Sequence, residues 1–378
     1  MTTLTRRPHR TAAVVSIGIA AAFACAAAQA GGPRYHFERI DVPNAAHVVV
    51  KDINNAGQIV GTYFDQDFVK HAVLWDAQGA HTLAVPDGLE VHGIAYAINN
   101  HGQIAGYADS FEDSSPGLTW NAATPDTYTK LSADPVVVAI PNDINDDGVI
   151  VGLKGGYQTG EKFHAFVWSA QTGIVDYGTA NPSDAAQNAI WSGINNAGQI
   201  VGGWNYTRQI YHATRGQLGT PTVVPFNTDT EVIESYADAI NASGVAVGYA
   251  DLGAPNGPVA ARFETDGTIT EIPGASFDSD AGFASAINDA GVIVGRATNL
   301  STRTGLKAWV HIDGQSWDLY EQVDDTGGLE MFTDAVAINA SGVIVGTGEF
   351  ADGTMASFRL TPIQADAIFA DSFDPAGR

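Results

Sequence analysis

The sequence predicts an all-β protein: a seven-bladed β-propeller with four-stranded blades, closed by its N-terminal strand. Three observations predict it. The stretch Asp52-Ile-Asn-Asn-Ala-Gly-Gln-Ile-Val-Gly61 returns along the chain, placing Ile53, Ile98, Ile144, Ile194, Ile240, Ile287 and Ile338 at spacings of 45, 46, 50, 46, 47 and 51 residues, which is the signature of a repeat protein. Each unit reads as four short strands with no helical periodicity, the arithmetic of a propeller blade. The two ends are complementary: the seventh unit stops after its third strand, and a strand-like segment precedes the first unit.

Each isoleucine is followed by an asparagine (Asn54, Asn99, Asn145, Asn195, Asn241, Asn288, Asn339) and three residues later by a glycine (Gly57, Gly102, Gly148, Gly198, Gly244, Gly291, Gly342). Asn and Gly at these positions predict a type I turn ending in a left-handed glycine, a common hairpin connection. Apolar residues on either side make it the link between two strands. A second glycine four residues on (Gly61, Gly106, Gly152, Gly202, Gly248, Gly295, Gly346) marks a bulge or a close backbone approach. Third strands follow at His71–Trp75, Gly117–Trp120, His164–Trp168, Tyr211–Ala213, Val259–Phe263, Lys307–Trp309 and Met355–Phe358. A turn then leads to a fourth strand, such as His81–Val85 or Thr268–Ile272. The seventh unit lacks a fourth strand, and Tyr35–Pro43 resembles those of the other units, so it is expected to complete the last blade and pair two open sheet edges.

Residues 1–30 read as a secretory signal peptide: Arg6, Arg7 and Arg10, an apolar stretch from Ala12, and a small-residue cleavage site near Ala30. The expected location is therefore secreted, periplasmic or cell-surface. No later stretch reaches the ~20 apolar residues of a membrane span. Cys25 is the single cysteine and lies in the leader, which leaves the mature chain no disulfide. The propeller is expected over 31–362 and an acidic tail over 363–378. The whole chain carries a net charge of −24, and without its three leader arginines it holds 15 basic and 42 acidic residues. That sign argues against nucleic acid or anionic membrane as partner, and a monomer is the expected state.

The Ile-Asn-x-x-Gly-x-Ile-Val-Gly core, with His-Ala-Phe-x-Trp in the unit around His164, resembles the HAF repeats of bacterial extracellular proteins. The resemblance covers roughly residues 45–360. It departs at Gly117, Val259, Lys307 and Met355, where the histidine is missing. It implies a repeat type and an extracytoplasmic location, and no activity.

No linear catalytic signature is present: no His-Glu-x-x-His, no Gly-x-Ser-x-Gly elbow, no phosphate loop. His71, His164 and His212 recur at equivalent positions and are expected to be structural, each satisfying backbone on the neighbouring blade. Trp75, Trp120, Trp168, Phe263 and Phe358 recur likewise and are expected between blades. Asp143-Ile-Asn145-Asp146-Asp147-Gly148 reproduces the first part of a calcium loop, making Asp143, Asn145 and Asp147 candidate ligands. Lys154 stands where the bidentate glutamate would be, and other repeats form the same turn without those carboxylates, so an acid-rich turn without cofactor is the competing reading.

Turns between first and second strands are uniform, whereas the loops from second to third strands and between blades vary. In a propeller blade the two variable sets share one face, where function is expected. It would hold Tyr63, Phe64, Asp65, Asp67, Tyr107, Asp109, Trp204 and Tyr206, aromatics beside carboxylates that suit a glycan or a protein surface. The expected function is an exported binding or scaffold module. The alternative is an extracellular propeller enzyme, a glycosidase or polysaccharide lyase using carboxylates such as Asp65, Asp67, Asp109 and Asp113.

Overall fold

A computed structural model describes residues 32–86, 92–109, 115–134, 137–155, 162–178, 188–205, 210–226, 233–253, 257–300, 302 and 304–363. The expected leader, most of the expected tail, and Tyr206 and Asp113 lie outside these residues. The unit from Pro33 onward forms seven four-stranded antiparallel sheets in a ring, a seven-bladed β-propeller. Blades 1 to 6 span 47–82, 92–130, 139–178, 189–225, 234–271 and 281–318. Blade 7 combines Met331–Ile338, Ile344–Glu349 and Met355–Pro362 with Tyr35–Ile40, which pairs antiparallel with Met355–Pro362. The ring is closed by the N-terminal strand, as expected. First strands of neighbouring blades contact one another all the way round, so they are the innermost.

The hairpin forms as the Asn and Gly dictate. In blade 1 the Gly57 amide donates to the Asn54 carbonyl at 3.0 Å, and Gly57 takes φ +78°. Its six counterparts all have φ between +73° and +84°. The asparagine does more than cap its own turn. Its Oδ1 accepts from two backbone amides ahead, Ala56 and Gln58 in blade 1. Its Nδ2 crosses to the carbonyl of the equivalent asparagine in the next blade. Asn54 reaches Asn99, Asn99 reaches Asn145, and so on through Asn195, Asn241, Asn288 and Asn339, which returns to Asn54; the seven bonds measure 2.9–3.4 Å. All seven asparagines are 3–6% exposed, so the circle of amides is a buried closure of the whole ring.

The second glycine is explained by sterics. A Cβ on Gly61 would lie 2.1 Å from the Val49 carbonyl oxygen, and the six equivalents meet the matching oxygen at 2.0–2.1 Å. Opposite this glycine every innermost strand carries a bulge, between Val50 and Asp52 in blade 1 and at the same place in the others. The bulge is possible only where the partner strand has no side chain.

The blades pack through alternating apolar faces. Trp75, Trp120 and Trp168 lie between blades as expected, and each indole N–H donates to a carbonyl of the preceding blade or closing strand: Asp41, Ala84 and Leu131. Phe358 departs from the expected alignment. It pairs with Gly346, not with the isoleucine two residues earlier, so its ring covers the bulge glycine, as Phe166 covers Gly152 and Trp309 covers Gly295. Two of the three histidines, His71 and His164, also depart. They occupy equivalent register positions, but His71 binds Asp65 at 2.9 Å and His164 binds Asp176 at 3.0 Å, each within its own blade.

Three outcomes are expected. Asn195→Ala removes an acceptor of two amides and a donor to Gln199 and Asn241, and should destabilise by about 2–4 kcal/mol in denaturant unfolding, because buried partners are orphaned. Exposed Asn196→Ala should stay within ~0.5 kcal/mol, since alanine already stands there at 242 and 340. Deleting residues 33–40 exposes the edge of Met355–Pro362; light scattering should then show self-association, and an unchanged monomer with unchanged melting would refute closure by this strand.

Candidate functional site

Two features meet on the propeller axis. At the uniform-turn end, hairpins from all seven blades enclose a polar cavity of ≈ 230 Å³. Its wall is the amide circle and, one residue on, a second set of bonds. The Asn55, Asn100 and Asp146 amides donate to the side chains of Asn100, Asp146 and Asn196 in the following blade. The Ala242 and Ala340 amides donate to Asp289 and Asn55. Alanines 242 and 340 have no acceptor to offer the preceding blade, so this outer circle is broken twice.

Asp52 and Asp143 stand just before the hairpin isoleucine. Each carboxylate accepts from its own isoleucine amide and from that of the next blade: Ile53 and Ile98 for Asp52, Ile144 and Ile194 for Asp143. Asp143 and Asn145, proposed calcium ligands, therefore direct their oxygens to backbone amides, and Asp147 is exposed. Among the described residues no three His, Cys, Asp or Glu side chains gather as a metal site.

Farther along the axis, the bulge sets the chemistry. It turns out one extra residue per blade: Lys51, Tyr96, Asn142, Ser192, Asp238, Ser285 and Val336. The scaffold repeats and these seven differ. With residues from the adjoining strand positions they build a continuous wall over six blades. Arg296 binds Asp334 at 2.9 Å and lies 5.1 Å over the Phe283 ring. Tyr249 stacks on Tyr236 at 6.2 Å, meets Phe283 edge-on at 5.2 Å, and donates to Glu234 at 3.1 Å. Ser192 bonds the Tyr236 hydroxyl at 2.6 Å. Lys51 lies over Tyr96, which stacks on Tyr107.

Burial dominates the electrostatics of these acids. It pushes Asp238 up to about 7, against the pull of Arg296, and raises Asp334 as well. Burial also lifts Asp52 to about 6 and Asp143 to about 7, with backbone N–H donors opposing in both.

Of the residues expected on the variable face whose side chains are described, Tyr107 alone joins this wall. Tyr63, Phe64, Asp65 and Asp67 form a local cluster in blade 1. Tyr63 stacks on His71 at 4.7 Å and Asp65 accepts from the Asp67 and Val69 amides, while Lys70 lies over Phe64. Trp204 packs near His212 in blade 4. Asp109 ends the second strand of blade 2. Sequence reasoning missed Lys51, Asp238, Arg296 and Asp334; the one available signal was their variation inside an otherwise repeated strand.

The fold and axial channel define the class: a seven-bladed propeller with a chemically diversified axis. No family model and no curated protein matches the chain. Among solved structures it is similar to a prolyl endopeptidase at 9% identity, covering 88% of this chain and 50% of that one, with a TM-score of 0.57. It is similar also to a puromycin-hydrolysing peptidase of Mycobacterium tuberculosis at 11% identity, covering 89% and 56%, with a TM-score of 0.55. The chain thus spans about half the length of either, and the likeness shows the fold alone. Among the described residues no helix is long and apolar enough to cross a membrane.

The raised acids predict an inverted pH profile. Each binds its proton more tightly folded than unfolded, so stability falls as pH rises from about 4 to about 7 and is level above that. Melting should be higher at pH 5 than at pH 8 by about 3–6 °C, and Asp143→Asn should shrink the difference. Burial lowers His47, His212 and His311, whose contribution runs toward the higher pH, so the variant decides: an Asp143→Asn protein that keeps the full difference between pH 5 and pH 8 would contradict the assignment.

Proposed function

We propose that the chain is an exported binding module that takes a glycan or a protein segment on its variable-loop face, with the channel wall beneath as the floor of the site. One observation carries this reading. The repeated positions are engaged in building the ring, and the bulge residues, six residue types at seven positions, are presented together on the axis, where four tyrosines and two bases stand among them and their neighbours. Tyrosines beside carboxylates and guanidinium offer stacking and directional hydrogen bonds to sugar hydroxyls or to peptide groups. Export follows from the leader, and the HAF-repeat resemblance supports the same location.

A second reading has an observation of its own. Asp238 holds a proton near neutral pH and faces Asp334 across Arg296, a pairing that suits a general acid and a carboxylate in an extracellular polymer-cleaving enzyme. A glycan array with a pull-down from cell-surface extract separates the two. Binding without turnover is expected, weakened at least tenfold by Tyr107→Ala. Turnover abolished by Asp238→Asn favours the enzyme. Binding that survives alanine at Tyr63, Tyr107 and Trp204 removes the proposed face.

A further inference from the structure

The seven junctions between blades are not filled alike. Trp75, Trp120 and Trp168 stand opposite Ile59, Ile104 and Ile150 in the sheet register and fill three junctions with indole. Opposite Ile200 the chain has Gly216, and Tyr177 with Leu218 packs into that junction instead. Opposite Ile293 and Ile344 stand His311 and Leu360, and Trp317 joins the latter. At the junction of blades 4 and 5 the position holds Phe263, a smaller ring, set against Phe226 at 5.2 Å and facing Ala246 where the other six sheets have isoleucine.

Here a cavity of ≈ 270 Å³ remains, lined chiefly by Val201, Arg215, Val224, Phe226, Ile240 and Thr265. A second observation marks it as a real gap. Six of the seven hairpin isoleucines are 5–9% exposed, whereas Ile240, on this wall, is partly exposed. Among the described residues Arg215 is the only charged one lining it. Its guanidinium lies 5.4 Å from the Phe226 ring centre and donates to the Thr265 carbonyl at 2.8 Å. Asp266 stands beside it, held ionised first by Thr268 and also by Arg215.

We propose that this inter-blade cavity binds a small planar aromatic carboxylate, its ring against Val201, Phe226 and Ile240 and its carboxylate toward Arg215. The volume, slightly below the ~300 Å³ at which ligand pockets begin, suits one or two fused rings. The wall is largely apolar, with Gln199 and Gln217 among its polar members, and three other junctions of the ring hold a two-ring side chain. Arg215 offers a planar fork of N–H groups, the geometry that takes a carboxylate, and its plane also stacks on an aromatic face. The inference rests on residues away from the axis, so it stands or falls separately from the binding-module reading.

Calorimetry on the intact mature protein with indole-3-acetate, indole and acetate tests it. Saturable one-to-one binding of indole-3-acetate is expected at a Kd below about 1 mM, with indole at least tenfold weaker and acetate without measurable binding. Arg215→Ala should weaken indole-3-acetate at least tenfold. Thr265→Trp, at an exposed position on the rim, should do the same by filling the mouth, with melting unchanged as proof of folding. Asp266→Asn should tighten indole-3-acetate severalfold and leave indole unaffected, because only the acid competes with Asp266 for Arg215. No saturable binding at millimolar indole-3-acetate, or binding indifferent to both Arg215→Ala and Thr265→Trp, overturns the proposal.

Discussion

The circle of asparagine amides is the constraint on which the rest of this propeller depends. Each side chain donates to one carbonyl of the next blade, and six of the seven also accept from two amides of their own turn, Asn145 from one. The blades are thereby registered to one another at the axis, where a small slip would misplace every inner strand. Because the bonds are buried, losing a member leaves orphaned donors and acceptors in a dry site, which costs more than the bond itself contributes. The closing strand at the rim and the Asn339 to Asn54 bond at the axis are two ends of one closure.

The bulge converts this rigid frame into a carrier of variety. A glycine without Cβ lets the partner carbonyl approach to contact distance, the inner strand gains a residue, and the side chain so released turns to the axis. The scaffold positions are held to one residue type by sterics and hydrogen bonding common to all seven blades, while each released residue bonds, where it does, to a partner particular to its own blade. That freedom lets Lys51, Ser192 and Asp238 stand at equivalent sites. The resulting wall carries buried charge, and its acids are raised because two cations do not fully offset the desolvation of the carboxylates.

The junction of blades 4 and 5 shows the same logic at the periphery. Repeats tolerate substitution at one interface because each blade contacts only its neighbours. The space left at this junction is bounded by Val201, Phe226, Ile240 and Arg215, residues of the two blades that meet there. A cavity of this kind is a property of one pair of blades, so it adds chemistry without altering the ring.

The sequence by itself determined the number of blades, the hairpin, the two glycine roles and the N-terminal closure. Those follow from local rules, namely turn dihedrals, strand alternation and the count of strands, which repeat in phase and are legible one unit at a time. Tertiary structure decided where the side chains meet. Asn54 reads locally as a turn residue, and nothing near it in sequence reveals that its Nδ2 reaches Asn99, 45 residues on. Asp143 reads as a metal ligand until the Ile194 amide, in another blade, takes its oxygen. Tyr63 and Tyr107 look alike, yet they follow their glycines by two residues and by one, and strand alternation turns them to opposite faces, to His71 and to Tyr96. Asp238, Arg296 and Asp334 occupy three different repeat positions on three blades. Only the bulge and the closed ring bring them together, because contacts across an axis depend on the rotation between blades, which no single repeat encodes.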